Sequence, residues 1–183
     1  AFESFHDCSN WECGAKKGVQ MARIRMPSGK EIDIYNTHLN SAQENDLIRS
    51  SQISQIVGLI QEHSFDRTFV LAGDFNADYR SINYDEIVGN LYVRDSYDDY
   101  IRKIGNPPQR DILGFTFDIE NNPYATPSIS GEPRSQRFDY IFFRQGGGQK
   151  VKANTSKMRF TEALLFEKPL SDHYAVESEF TIW

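Results

Sequence analysis

Four short segments of this 183-residue chain close an apolar run with polar groups able to hold a phosphate or a metal. They are His38 with Asn40 in Tyr35-Asn36-Thr37-His38-Leu39-Asn40, and Asp74 with Asn76 in Leu71-Ala72-Gly73-Asp74-Phe75-Asn76-Ala77. The other two are Asp139 in Arg137-Phe138-Asp139-Tyr140-Ile141-Phe142, and Asp172 with His173 in Leu170-Ser171-Asp172-His173-Tyr174-Ala175-Val176. Singly, each has an ordinary explanation. A lone histidine at a strand end is more often structural, and Asp-x-Asn after a strand is often an Asx turn. Asp139 is harder to set aside. It interrupts an apolar strand, and a buried carboxylate is costly unless an imidazole or an arginine partners it.

Together the four segments suit metal-assisted attack of water on a phosphate ester. A divalent cation wants hard oxygen ligands. The water needs a base, and the base needs an orienting carboxylate. The phosphate needs donors such as an imidazole and an Asn amide. The chain has no Walker-type glycine loop and no Gly-x-Ser-x-Gly elbow, which argues against phosphoryl transfer from a nucleotide and against serine hydrolysis.

These groups need strands to carry them. Val19–Met26 and Glu31–Leu39 read as a hairpin about the turn Pro27-Ser28-Gly29. Ser41 and Glu44 make a capping box for a helix from about Ala42 to Glu62, with Leu47, Ile48, Ile53, Ile56, Val57 and Ile60 as its buried stripe. Phe69–Ala72 reads as a buried strand and Tyr84–Leu91 as a second helix. Residues 1–17 read as irregular and Ser96–Pro133 as a long surface excursion, with Gly114-Phe115-Thr116-Phe117 as a short strand inside it. Arg137–Phe143 and Tyr174–Thr181 are strands again, and Val151–Phe166 is ambiguous. In an open α/β layout the four polar segments converge at the carboxyl ends of strands.

The bulk numbers fit one globular domain: 39% hydrophobic, 25% charged, net charge −6. There is no global basic field for polyanions, which leaves room only for a local basic cleft. Arg23, Arg25, Arg49 and Arg80 could line one or be solvated. No signal peptide is visible, the first residue is not Met, and a secreted or membrane-associated setting is favoured only slightly. Cys8 and Cys13 read either as two loop thiols or as a local disulfide. A zinc site needs more ligands than their segment offers.

In this order the four motifs resemble the endonuclease/exonuclease/phosphatase superfamily, which includes deoxyribonuclease-I-like nucleases and neutral sphingomyelinases. The match runs from about Lys17 to Ile182. It implies a four-layer α/β/β/α sandwich and hydrolysis dependent on Mg²⁺, with Mn²⁺ an alternative. By motif, His173 resembles the general base and Asp139 the carboxylate that orients it. His38 is implied to bind the scissile phosphate, Asp74 to position the nucleophile or protonate the leaving oxygen, and Asn76 to hold a phosphate oxygen. Asp172 is implied as a metal ligand, and in some members Asp74, Asn76 and His173 also contact a second metal. The family pattern begins with an Asn and a metal-binding Glu that Glu3 and Glu12 do not match. The resemblance therefore implies that residues 1–183 form the C-terminal portion of a domain, partnered by a missing N-terminal half and inactive or nearly so without it.

Two stretches are similar to the sphingomyelinase-like branch: Asp7-Cys8-Ser9-Asn10-Trp11-Glu12-Cys13 leading to Lys16-Lys17-Gly18-Val19, and Gly114-Phe115-Thr116-Phe117-Asp118 with Asn122-Pro123-Tyr124. The resemblance thus implies a phospholipase C that cleaves a phospholipid headgroup. A nuclease acting on nucleic acid is the alternative within the superfamily, and a non-catalytic binding module on a decayed enzyme fold is the alternative outside it. Phe160, Leu164, Leu165 and Phe166 either form an apolar loop for peripheral membrane contact or pack in the core.

Overall fold

The computed structural model describes residues 1–105, 113–127, 133–162 and 169–183. The hairpin pairs β2 (Gly18–Arg25) with β3 (Glu31–His38), and β3 continues through α1 (Asp46–Ser64) into β4 (Phe69–Asp74). β3 and β4 are parallel, so the chain has to cross back over the sheet, and α1 is that crossover. β6 (Asp139–Arg144) runs antiparallel to the far side of β4. β1 (Phe2–Ser4) and β5 (Arg94–Asp95) complete a six-stranded sheet in the order β1-β2-β3-β4-β6-β5. β7 (Val151–Arg159) and β8 (Ala175–Ile182) form a second, two-stranded sheet.

The layers follow from which faces are apolar. Ile53, Ile56 and Ile60 of α1 and Ile87 and Leu91 of α2 (Ile82–Leu91) are buried with Tyr35, Phe69, Leu71 and Phe142 of the large sheet. On its other face Ile32, Val70 and Phe143 meet Val151 and Ala153 of the small sheet. β4 is apolar on both sides because it is covered on both sides. Two facing sheets with helices on the outer face of the larger one are layers of the deoxyribonuclease-I-like arrangement.

Several local expectations change. The capping box does not form, because Ser41 gives its hydroxyl and its N–H to the Glu12 carboxylate, at 2.7 and 2.8 Å. α1 begins instead at Asp46, behind a 3-10 turn (Gln43–Asn45), and Leu47 faces solvent. Residues 1–17 are more ordered than their turn formers suggest: β1 pairs with β2, and a 3-10 helix (Asn10–Ala15) follows. Cys8 and Cys13 are bonded to each other, with both residues exposed. The surface excursion opens with a helix, α3 (Ser96–Ile104), capped by Asp95, whose side chain accepts the N–H of Tyr97 at 2.9 Å. Thr116-Phe117 makes only an isolated bridge, to Gln136. Of the apolar-loop residues, Phe160 is exposed and the other three lie outside the described residues. No helix among the described residues is long and apolar enough to cross a membrane.

At the end of the sheet away from the four motifs, Asp33 is fully buried. Its carboxylate accepts from Arg23 at 2.7 Å, from the Ser64 hydroxyl at 2.6 Å and from Arg67 at 3.1 Å. Burial alone would raise its pKa, but these donors outweigh burial and hold it below the ordinary value. A depressed carboxylate adds stability that is present above the unfolded pKa, about 3.9, and is lost as pH falls through the folded one. The urea midpoint is therefore expected to drop steeply below about pH 4, and Asp33→Asn should flatten that drop. An unchanged acid limb in the variant would rule out the assignment.

Candidate active site at one end of the sheet

Sheet register brings three of the motifs onto one rung, but only His38 and Asp74 close their strands: β6 runs antiparallel, so Asp139 opens it, and His173 precedes β8. His38 lies opposite Asp74 across β3 and β4, and Asp74 lies opposite Asp139 across β4 and β6. Alternation along β3 puts His38 on the face of Ile32 and Ile34, toward the second sheet. Gly73 allows the close approach of β4 to β3, since a Cβ there would lie 1.9 Å from the Thr37 carbonyl oxygen. His173 arrives from the segment before β8, and its Nδ1 sits 2.7 Å from Asp139 Oδ2. That bond gives the half-buried Asp139 its partner. His38 Nε2 is 3.4 Å from Asp74 Oδ2.

The remaining candidates stand around this group. Asn76 adopts a left-handed backbone, at φ +47°, a region Asn tolerates, and its side-chain amide donates to the Leu39 carbonyl at 3.0 Å. Its own N–H caps Asp74 Oδ1 at 2.8 Å. Asp172 accepts the Ser171 hydroxyl at 3.1 Å and is not part of the Asp74–Asp139–His173 cluster. Asn40 is buried, taking the Ser9 N–H at 3.1 Å and giving its amide to the Ser41 carbonyl at 3.0 Å.

One cation escaped the sequence reading. Lys17 Nζ donates to Glu12 at 2.7 Å and to the same Leu39 carbonyl that Asn76 uses, at 2.8 Å. Its side chain is only 13% exposed. Glu12 is buried, and although burial works against its charge, Lys17 and Ser41 hold its pKa below the ordinary value. The only sequence signal was a glutamate between two cysteines, with no local hint of its partners. Of the arginines weighed for a nucleic-acid cleft, Arg49 is fully buried and binds the carbonyls of Asn40, Ala42 and Gln43, which excludes it from both readings. Arg23 and Arg25 pair with Asp33 and Glu31, and Arg80 is exposed beside Tyr79.

The charges do not cancel. Burial and the facing Asp139 push the Asp74 carboxyl up to about 7. Burial opposes the charge on His173, but the bond to Asp139 and the nearby acids outweigh it and raise the ring to about 9. Burial and Lys17 hold His38 below its ordinary value, so it is mostly neutral at pH 7. Asp74, Asp139 and His173 offer ligand atoms that all lie within 4.8 Å of one another. Two carboxylates crowded until one resists ionisation, with an imidazole beside them, are a donor set that fits a hard divalent cation.

No family model matches the chain. A sphingomyelinase of Mycobacterium tuberculosis is 25% identical to it over 174 residues, which is 93% of this chain and 32% of that protein. The structure of D. rerio TDP2 complexed with single strand DNA product aligns at TM-score 0.73 and 21% identity, over 99% of this chain and 66% of that one. An endonuclease/exonuclease/phosphatase from Bacteroides vulgatus aligns at TM-score 0.65 and 20% identity, over 91% of this chain and 56% of that one. The chain is an endonuclease/exonuclease/phosphatase-fold protein with a sphingomyelinase-like sequence. It spans about a third of the curated sphingomyelinase's length. In this sphingomyelinase-like chain the two stretches that suggested the branch both flank the acid cluster. One carries Glu12 and Lys17, and the other carries Phe117, whose ring centroid is 5.3 Å from that of His173.

Proposed function

We propose that these residues form the C-terminal portion of a phosphodiester hydrolase domain that cleaves a phospholipid headgroup in the manner of a sphingomyelinase-like phospholipase C. The observation that carries the reading is the rung His38–Asp74–Asp139 with His173 bonded across its end. It joins a base, an orienting carboxylate and a second carboxyl of raised pKa, with ligand atoms within 4.8 Å of one another. In its neutral form, reached as pH rises toward about 9 in the metal-free protein, His173 removes the proton from the attacking water, and Asp139, on Nδ1, holds the ring in place. The water oxygen forms the new bond to phosphorus as the bond to the lipid oxygen breaks. Asp74, with a pKa near neutrality, gives that leaving oxygen its proton. His38 and Lys17 bring donors and positive charge toward the non-bridging oxygens. A divalent cation, Mg²⁺ or Mn²⁺, would be held on the Asp139 side of the cluster, with Asp172 and Asn76 near it, and it would neutralise the developing phosphate charge while Asp74 keeps its proton for the leaving oxygen.

The remainder of the domain is proposed to cover the open side of the sandwich. Ile34 and Ile141 are only partly buried there, and β8 has no strand partner on its outer edge among the described residues. The test is headgroup release from sphingomyelin vesicles with Mg²⁺, by residues 1–183 alone and by the longer polypeptide that contains them. Release by the longer form only, abolished by a chelator, is the expected result. Full activity of residues 1–183 in isolation would remove the need for a second portion. Cleavage of single-stranded DNA in place of lipid would move the substrate to the nucleic-acid side, where the likeness to TDP2 points.

A further inference from the structure

We propose that the dipeptide Thr116-Phe117 is the positioning element of the Asp139–His173 pair. Its role in turnover rests on the hydrolase reading above, while its role in geometry does not. Both residues are fully buried. The Thr116 hydroxyl oxygen accepts two backbone N–H groups, from Phe138 at 3.0 Å and from Asp139 at 3.2 Å. The Thr116 carbonyl accepts the N–H of Tyr174 at 2.8 Å. One residue therefore grips the backbone beneath the carboxylate and the backbone just after the imidazole.

Phe117 acts on the ring itself. Its centroid lies 5.3 Å from that of His173, edge to face at 66°, and 5.8 Å from that of Phe138. Phe138 flanks the same imidazole at 6.1 Å. The dipeptide is held in turn by Gln136, whose carbonyl accepts the N–H groups of Thr116 and Phe117 at 3.1 and 3.0 Å. This support matters because His173 precedes β8 and is outside any ladder. Besides its bond to Asp139, contacts that tie down the segment 171–174 include Tyr174 to Thr116 and the Asn122 amide to the Ser171 carbonyl, at 2.9 Å. A base misplaced by a fraction of an ångström loses much of its effect, so the group that fixes both partners sets the rate without touching substrate.

The test uses the full polypeptide and two readouts. The first is the downfield imidazole N–H proton of His173 bonded to Asp139, seen by NMR at a temperature where every variant is folded and assigned by its loss in Asp139→Asn. Thr116→Val keeps the shape but removes the acceptor, and it should abolish this resonance. Phe117→Leu should broaden it, and Thr116→Ser should keep it. The second readout is steady-state hydrolysis of the diester. Thr116→Val should lower kcat about tenfold or more with KM within about twofold, and Thr116→Ser should restore most of the loss. A folded Thr116→Val that keeps the resonance, or Thr116→Ser as impaired as Thr116→Val, would overturn the assignment, as would absence of the resonance in the wild type. If no diester is cleaved even by the wild type, the hydrolase reading fails and the resonance still decides the positioning role.

Discussion

His173→Ala is expected to lower turnover by two or more orders of magnitude, the usual scale for losing a positioned base. The same substitution should also move stability, in a way that separates the two effects. In metal-free protein the ring is raised to about 9. A histidine raised on folding contributes stability that is fully present below its unfolded pKa, about 6.5, and is lost as pH rises through the folded value. In chelator, His173→Ala should therefore melt below the wild type at pH 6, with the gap narrowing by about pH 10 to what the lost ring packing against Phe117 and Phe138 leaves. The rate deficit should persist across that range. A rate loss that vanished along with the stability gap would show the histidine to be structural only. A variant turning over within about threefold of wild type would end its candidacy as the base.

The second large effect is structural. Asp95 and Arg137 form an ion pair 3.0 Å long with both side chains almost fully buried. Among the described residues the Arg137 Nε and Nη1 have no hydrogen-bond partner, and the guanidinium lies 4.1 Å from the Tyr79 ring centroid and 5.1 Å from that of Tyr140. Asp95 also accepts the Tyr84 hydroxyl at 3.3 Å and caps α3. Burial pushes its carboxyl up, and the charge of Arg137 works against that. Asp95→Ala strands the guanidinium among rings and uncaps the helix, and should cost about 3–5 kcal/mol in urea unfolding. The double variant Asp95→Ala/Arg137→Met should cost less than the sum of the two singles. A single-variant loss below about 1 kcal/mol would mean that the tyrosine rings alone satisfy the cation.

Much of the frame was legible because its signals are local. The hairpin, β4, the second helix and the last strand each carry their own periodicity or turn, and the awkward polarity of Asp139 in an apolar strand announced a partner. What could not be read depended on distant groups. Ser41 and Glu44 have the spacing of a capping box, but the Ser41 hydroxyl is spent on Glu12, 29 positions away. α3 hid because its buried residues reduce to Ser96, Tyr97 and Ile101 within an acidic and basic stretch. Lys17 drew no role of its own from the sequence, because Glu12 and the Leu39 carbonyl, which hold it, are not marked as its partners by any local pattern. Whether Cys8 and Cys13 were bonded depended on backbone geometry, and their Cα atoms are 5.1 Å apart.

The parallel pairing of β3 with β4 has a kinetic consequence. Antiparallel neighbours joined by short turns, such as β2 and β3, can zip early, whereas the β3–β4 pair must first close the loop that contains α1. The rung then needs β6, and the histidine comes from later still, near the end of the chain. Chain entropy thus defers assembly of the site until nearly all the rest has condensed. Regain of binding or turnover during refolding should lag behind regain of helix signal, which makes function a stricter gauge of complete folding than secondary structure.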